Sequence, residues 1–577
     1  MFSKSYHSEL AAIREACRVF STINPNTASL LGEGGADPDV DRLLQGFSLL
    51  AAEIRERIED EVPEIVHELA EGLAPAYLRP LPSCSIVEFS ADEAVRERKT
   101  IGAGTELLAK PIDGTACRFR TTANLEVVPL GLDEVALDGP RTSAPVLRLR
   151  FHTGNPSAVF LPGGLRFLVH GEYGEAATLV HWLMRHCSRI EVRALDGGAQ
   201  AVTLPPKSLS MAGLKPDLAL LRWAKDVPQG SRLMMEYFTL PQKFLFVDLT
   251  GLDAASHLAL ERFEVAICFD KALVLAQPPT KETFRFRCIP VINLFPAKAE
   301  PIHCEASRRE YPVVVDGLPR EHVEIYNIDA VQGQEKALIP GTVFTPFVDL
   351  SNLEGSPGRR ACFKVRRKAS VLADSVETYL SVTVPSNGLA KVPADEQLSV
   401  DLTCTNGALP GRLGVGAISL EPVGKEIGYA NIVEVTKPVL PPFGSEVYWR
   451  LVGEPGRRAF LSPEALASQV ALHDFHLLQD PRRSSFGRAR LDTIRRTTET
   501  PRTRMIEGMA TSGVEFRVLL EEAAFASRGD VFVFGSVVNE LMAAFLSVNS
   551  FVELRLSLEP SITELTWEPR QGDLPPV

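Results

Sequence analysis

One amphipathic helix near the start of the chain constrains the fold more than any other segment. Asp37 can cap its first turn, Pro38 fits the first helical position, and Asp39 suits the positive end of the helix dipole. Apolar residues then recur at helical spacing and form one continuous stripe, while charged residues occupy the other faces. The stripe consists of Val40, Leu43, Leu44, Phe47, Leu50, Ala51, Ile54 and Ile58. It needs a partner surface, which belongs either to this chain or to another one.

This helix is part of a helical segment that we assign to residues 1–80. A first helix is predicted from about Ser5, and it ends before Asn24-Pro25 because the residue before a proline disfavours helix. One face of that helix carries Leu10, Ile13, Cys17 and Phe20. A third helix is predicted from Pro63 onwards. The rigid run Pro80-Leu81-Pro82-Ser83 then marks the first domain boundary.

The rest of the chain changes to short alternating runs separated by Gly, Pro and Asp clusters, which indicate strands. The aromatic segment 235–249 is predicted to fill a sheet core, and helices are predicted near 175–187 and 463–472. The sequence therefore predicts an α+β fold, in which a helical bundle-forming segment precedes several sandwich- or barrel-like domains and a mixed C-terminal region. The predicted domains are 1–80 (helical), 81–254 (β-rich with a helical insertion), 255–440 (β-rich) and 441–577 (mixed α+β).

Composition and charge favour a protein that stays inside the cell. With 61 basic and 73 acidic residues the net charge is −12, so the whole chain is a poor candidate for binding nucleic-acid phosphates. The nine cysteines are scattered without a Cys-x-x-Cys pair, which is typical of reduced thiols. The sequence shows neither a signal peptide nor an apolar run of the roughly 18 residues that a membrane span needs. We therefore expect a cytoplasmic protein with no direct membrane insertion.

No catalytic motif stands out in the sequence. Gly411-x-x-Gly414-x-Gly416 lies between strand-like segments and favours a turn over a nucleotide site. The pair His473-x-x-His476 has no nearby cysteine that would complete a zinc set. We therefore expect no enzyme activity, no catalytic residues, no metal and no cofactor. The alternative is a multi-domain β-rich hydrolase whose catalytic carboxylates cannot be paired from spacing.

The strongest local charge signal is a run of arginines between residues 482 and 504. Because Phe486 is the one aromatic residue in the run, stacking on single-stranded bases is poorly supported. We predict a basic loop region that meets an acidic protein partner or is solvated. Nucleic-acid binding is a weaker alternative, which predicts salt-sensitive retention on DNA. The candidate partner patch is Arg482, Arg483, Arg488, Arg490, Arg495 and Arg496, and Arg502 and Arg504 follow it.

Blocks of sequence along residues 1–570 point to a known family. They begin with Asp37–Phe47 and include the central Glu236-Tyr237-Phe238, Pro290–Phe295, Gly513–Phe516 and the final Trp567-Glu568-Pro569. In this order and spacing the chain resembles the TssF family, also called VasA or ImpG, which supplies a baseplate wedge subunit of the bacterial type VI secretion system. It departs from the family pattern at Tyr6-His7 and at Glu454–Arg458.

The resemblance implies a structural protein rather than an enzyme. Members of this family look like the wedge proteins of contractile phage baseplates, and two TssF copies associate with one TssG through a shared helical bundle. The implied partners are TssG, a second TssF copy, TssK, the sheath initiator TssE and the VgrG spike hub. The implied role is to dock around that hub and initiate the contractile sheath, at a baseplate on the inner face of the cell envelope. The stripe of residues 40–54 would then face a bundle shared between chains.

Overall fold

The structure is a computed structural model that describes most of the chain. The described residues are 2–23, 39–51, 70–71, 74–91, 98–141, 144–155, 164–196, 201–221, 223, 229–258, 261–305, 307–334, 343–347, 361–370, 375–386, 389–391, 396–420, 423, 427–442, 449, 460, 462–479, 485–506 and 508–573. The start of the predicted third helix, at Pro63, lies outside them.

Helices and strands are both abundant, which confirms the predicted α+β class. The helices are α1 (Phe2–Ile23), α2 (residues 39–51), α3 (Tyr173–Arg185), α4 (Gln229–Thr239), α5 (Pro463–Ala471), α6 (Phe475–Gln479), α7 (Ser485–Leu491) and α8 (Arg528–Ala543). The first fifteen strands are β1 (Cys84–Ala91), β2 (Lys99–Ile101), β3 (Glu106–Leu108), β4 (Arg118–Thr121), β5 (Leu125–Val127), β6 (Leu130–Asp138), β7 (Val146–Thr153), β8 (Leu165–Val169), β9 (Cys187–Ala194), β10 (Ala201–Leu204), β11 (Leu209–Met211), β12 (Phe246–Leu249), β13 (Arg262–Phe269), β14 (Phe284–Phe286) and β15 (Cys288–Ile292). The others are β16 (Phe295–Lys298), β17 (Ile302–His303), β18 (Tyr311–Pro312), β19 (Glu324–Gln334), β20 (Val343–Pro346), β21 (Cys362–Ala369), β22 (Val376–Ser386), β23 (Leu389–Lys391), β24 (Gln397–Thr405), β25 (Ile427–Asn431), β26 (Ile494–Ile506), β27 (Met509–Glu521), β28 (Ser550–Glu559), β29 (Thr563–Thr566) and β30 (Arg570–Gln571).

A large body contains most of the sheets and one extended hydrophobic core. Its sheets have the strand orders β25-β1-β15-β4-β3, β10-β9-β13-β7-β6 and β11-β12-β8-β14, and α3, α4 and α8 pack into the same core. Strand β1 pairs with β15 on one side and with β25 on the other. Strands from the predicted domains 81–254 and 255–440 share these sheets, and buried residues of the predicted domain 441–577 pack into the same core.

A β-barrel is inserted between β15 and β25. Its strand order is β16-β24-β19-β20-β21-β22-β18. The ring closes where Ala299 bridges Val315 and the amide of Glu300 donates to the carbonyl of Val314 at 2.8 Å. Buried side chains from Phe295 to Cys404 fill a second core. The barrel thus occupies residues 295–405, a shorter unit than the predicted domain 255–440.

The C-terminal region is built around the buried helix α8. Strand β27 pairs with β26 as a hairpin and with β28 in parallel, and α8 provides the crossover that a parallel pair requires. Residues from Gly529 to Ala543 are all buried. A Cβ atom on Gly529 would lie 2.2 Å from the carbonyl carbon of Ala177 in α3, so only glycine allows this close helix crossing.

Candidate assembly interface

An ion pair joins the two N-terminal helices, and each helix carries one buried serine. Arg14 of α1 forms an ion pair of 3.1 Å with Asp41 of α2. Ser48 is fully buried on α2 and donates to the carbonyl of Leu44 at 2.6 Å. Ser21 is similarly buried on α1 and donates to the carbonyl of Cys17 at 2.8 Å.

The apolar stripe predicted on α2 is largely exposed. Leu43 is 73%, Phe47 63% and Leu50 58% exposed. Val40, Leu44 and Ala51 are partly buried, and Ile54 lies outside the described residues. Burial of a Leu or Phe side chain contributes about 1.5–3 kcal/mol, so a partner that covered these three side chains would gain a substantial binding free energy. Helix α1 adds a residue that sequence reasoning missed, Ile23, which is 72% exposed at its end.

The arginine run is not a basic loop, and this prediction needs correction. The described part consists of helix α7 and strand β26, while Arg482 and Arg483 lie outside the described residues. Arg488 is exposed and lies 3.9 Å from Asp492. Arg495 forms an ion pair with Glu521 on the neighbouring strand. Arg496 is exposed on β26.

Arg490 is buried and does not belong to a surface patch. Its guanidinium donates to the carboxylate of Asp530 at 2.6 Å, and both side chains are at most 2% exposed. The same group lies 3.5 Å from the ring centroid of Phe486 and 5.2 Å from those of Tyr237 and Phe525. Arg490 therefore joins α7 to α4 and to the first turn of α8, which is a structural role.

We expect Arg490→Lys to destabilise the body by about 1–2 kcal/mol, because an ammonium group keeps the charge but loses the planar stacking of the guanidinium on Phe486. The matched control is Arg488→Lys on the same helix, where the side chain is exposed and the change should be within about 0.5 kcal/mol. Urea unfolding of the two variants measures the difference. Equal stability would show that Arg490 acts only as a charge.

The downstream arginines are neutralised within the C-terminal sheet. Glu515, which is 1% exposed, accepts hydrogen bonds from Arg502 and Arg517 and forms a further ion pair with Arg555. Glu553 on β28 accepts from Arg504 of β26 and from Arg555 of its own strand. The repeated Glu-x-Arg spacing of residues 515–517 and 553–555 places each pair on one face of a strand, so this signal was present in the sequence. These in-chain ion pairs leave less positive charge for a nucleic-acid backbone than the sequence suggested.

Among the described residues, no group of three His, Cys, Asp or Glu side chains could hold a metal ion. His473 is buried, its Nδ1 lies 2.9 Å from the carbonyl oxygen of Gln469, and its ring packs edge-on against Tyr77. A surface cleft of about 400 Å³ is lined by residues such as Asn124 and Asp217, and Asp217 is already paired with Arg166 at 2.8 Å. In the part of the chain that the structure describes, no helix is long and apolar enough to span a membrane.

Comparison with known proteins decides the family. The sequence matches the family "Type VI secretion system, TssF" over residues 1–574. The chain belongs to the TssF family. The resemblance predicted from the sequence is therefore confirmed. This TssF chain is 28% identical to the type VI secretion system component TssF1 of Pseudomonas aeruginosa PAO1, over 99% of its own length and 98% of that relative.

Solved structures agree with this assignment. A chain of the type VI secretion system TssK-TssF-TssG baseplate subcomplex, determined by cryo-electron microscopy, superposes with a TM-score of 0.77 at 26% identity and covers 93% of this TssF chain and all of that chain. A chain of the baseplate complex from the type VI secretion system gives a TM-score of 0.65 over the full length of both chains, at 23% identity, which shows the shared fold. The family and the fold are those of a structural component of the type VI secretion baseplate.

Proposed function

We propose that this chain is a baseplate wedge subunit in which α1 and α2 join a helical bundle with TssG and with a second copy of the chain. The observation that carries the proposal is the exposed stripe of Leu43, Phe47 and Leu50 on α2. A free helix that exposes several large apolar side chains on one face is typical of a helix that binds other helices. The similarity to a chain of the solved TssK-TssF-TssG baseplate subcomplex supports the choice of partner.

The finer parts of the proposal follow from the same family membership. We infer that the chain also meets TssK, TssE and the VgrG spike hub, and that the assembled wedges dock around the hub and initiate the sheath. The wedge would act in the cytoplasm, at the inner face of the cell envelope. A structural rather than enzymatic role is consistent with relatives that are baseplate components. The exposed Arg488 and Arg496 support a secondary contact with an acidic partner surface.

Co-expression with the TssG protein encoded alongside this chain, followed by native mass spectrometry of the purified particle, tests the proposal. We expect a stable complex that contains two copies of this chain and one TssG. A chain that purifies alone, with no affinity for TssG in either order of mixing, contradicts the wedge function. A stable complex of one copy with one TssG would support TssG as the partner and contradict the second copy in the wedge.

A further inference from the structure

The two chain connections between the body and the barrel of residues 295–405 lie side by side. The chain enters the barrel after Asn293 and leaves it at Asn406, and both side chains are at most 1% exposed. The amide of Asn293 donates to the side-chain oxygen of Asn406 at 2.8 Å, and the backbone amide of Asn406 donates back to Asn293 at 2.7 Å. Arg118 of the body contributes its backbone to both asparagines. We call this arrangement the asparagine clasp.

The two bodies have largely separate hydrophobic cores. Buried apolar residues from Phe295 to Cys404 form the barrel core, whereas Tyr326 is the barrel residue that belongs to the core of the body. The guanidinium of Arg79 lies 5.5 Å from the centroid of the Tyr326 ring. A second polar contact joins Thr115 to His322 at 2.8 Å. Because rigid cores with few shared apolar contacts move relative to each other readily, the seam between them depends on these side chains.

One buried cation at this seam is poorly compensated. Arg367 on β21 is 1% exposed, and its guanidinium donates to Glu71 and to the carbonyl of Tyr326 at 3.4 Å each. Its Nε atom is buried without a hydrogen-bond partner. Burial lowers the pKa of Arg367, and Glu71 opposes that effect. Glu71, whose side chain is 30% exposed, belongs to the predicted N-terminal segment rather than to the barrel.

We propose that the barrel turns as a rigid body about the asparagine clasp, and that the Glu71–Arg367 contact is a latch that holds it in the orientation of this structure. Long hydrogen bonds and an unpaired donor leave the latched state with a small advantage over a turned state in which solvent reaches Arg367. Because Glu71 follows the helices that carry the assembly stripe, the latch ties the barrel orientation to the N-terminal segment. This device does not depend on TssG or on the proposed wedge function.

Distance measurements on the full-length chain alone test the latch. Spin labels would be placed at Thr203→Cys on β10 of the body and Ala369→Cys on β21 of the barrel, both exposed positions. The partly exposed Cys17 and Cys187 would be changed to Ser, since the other cysteines are buried. Double electron–electron resonance should give one narrow distance in this background. Glu71→Gln should add a second, resolved distance.

The neighbouring ion pair provides a matched control. Arg366 contacts Glu310 at the same 3.4 Å, but both residues lie within the barrel, so Glu310→Gln should leave the distance distribution unchanged. Arg367→Met, which removes the buried cation and fills its space, should add the second distance as Glu71→Gln does. The proposal is overturned if both latch variants keep the single distance. It is also overturned if the second distance appears only together with loss of the thermal unfolding transition of the barrel.

Discussion

Glu236→Gln should destabilise the body by about 3–5 kcal/mol, because it leaves two buried cations without a counter-charge. The carboxylate is fully buried and accepts from Arg232 at 2.7 Å and from Lys243, both of which are also buried. It accepts two further bonds from the backbone amides of Leu220 and Leu221. Although burial alone would raise the pKa of Glu236, Lys243 and Arg232 hold it below its usual range, so the group is ionised.

Urea unfolding followed by far-UV circular dichroism measures this loss in the transition of the body. The control is Glu106→Gln, which removes an exposed ion pair with Arg118 and should cost at most about 1 kcal/mol. Adding Lys243→Met to Glu236→Gln should recover part of the stability, since the repulsion between Lys243 and Arg232 disappears. A double variant less stable than Glu236→Gln would contradict the charge argument and indicate that packing of the Lys243 stem dominates.

Local patterns explain which elements the sequence predicted correctly. Helix α2 has an apolar stripe with the helical period. Helix α5 has Pro463 at its first position, and the side chain of the preceding Ser462 accepts a hydrogen bond from the amide of Ala465. The strand β1 was likewise indicated by its β-branched and aromatic residues. Helix α4 was missed, and the aromatic segment 235–249 was assigned to a sheet core. Its Arg232 and Glu236 lie one turn apart, but they form a buried ion pair instead of facing solvent. The aromatic residues that follow them favour a strand, and this local preference misled the prediction.

Long-range pairing explains why the sequence reveals neither the sheets shared between distant segments nor the partner of Arg490. Residues Val87 and Asn431 pair across the inserted barrel, and no local pattern records such a partner. The same holds for Arg490, whose counter-charge Asp530 lies 40 residues away on a different helix. An arginine whose carboxylate partner is distant in sequence resembles a free surface charge. The candidate interface was predictable because the stripe is local, whereas its exposure required the folded chain.

Leu43→Asp combined with Phe47→Asp should abolish the complex with TssG while the free chain remains folded. The two positions are one helical turn apart and point to the same side of α2. Loss of about 1.5–3 kcal/mol of burial at each site, together with the cost of burying two carboxylates, should weaken binding by at least about a hundredfold. Because both side chains are more than half exposed in the free chain, its free energy of unfolding should change by less than about 0.5 kcal/mol.

The matched control carries the same chemical change at equally exposed apolar residues of the C-terminal hairpin. Met505 is 70% and Met509 68% exposed, so Met505→Asp with Met509→Asp alters charge and surface apolarity to a similar extent. Native mass spectrometry after co-expression should show the complex for this control and not for the α2 variant. If the α2 variant still assembles, the stripe does not form the contact with TssG. If instead the α2 variant lowers the unfolding free energy of the free chain by several kcal/mol, the stripe packs against other residues of this chain and stabilises its own fold.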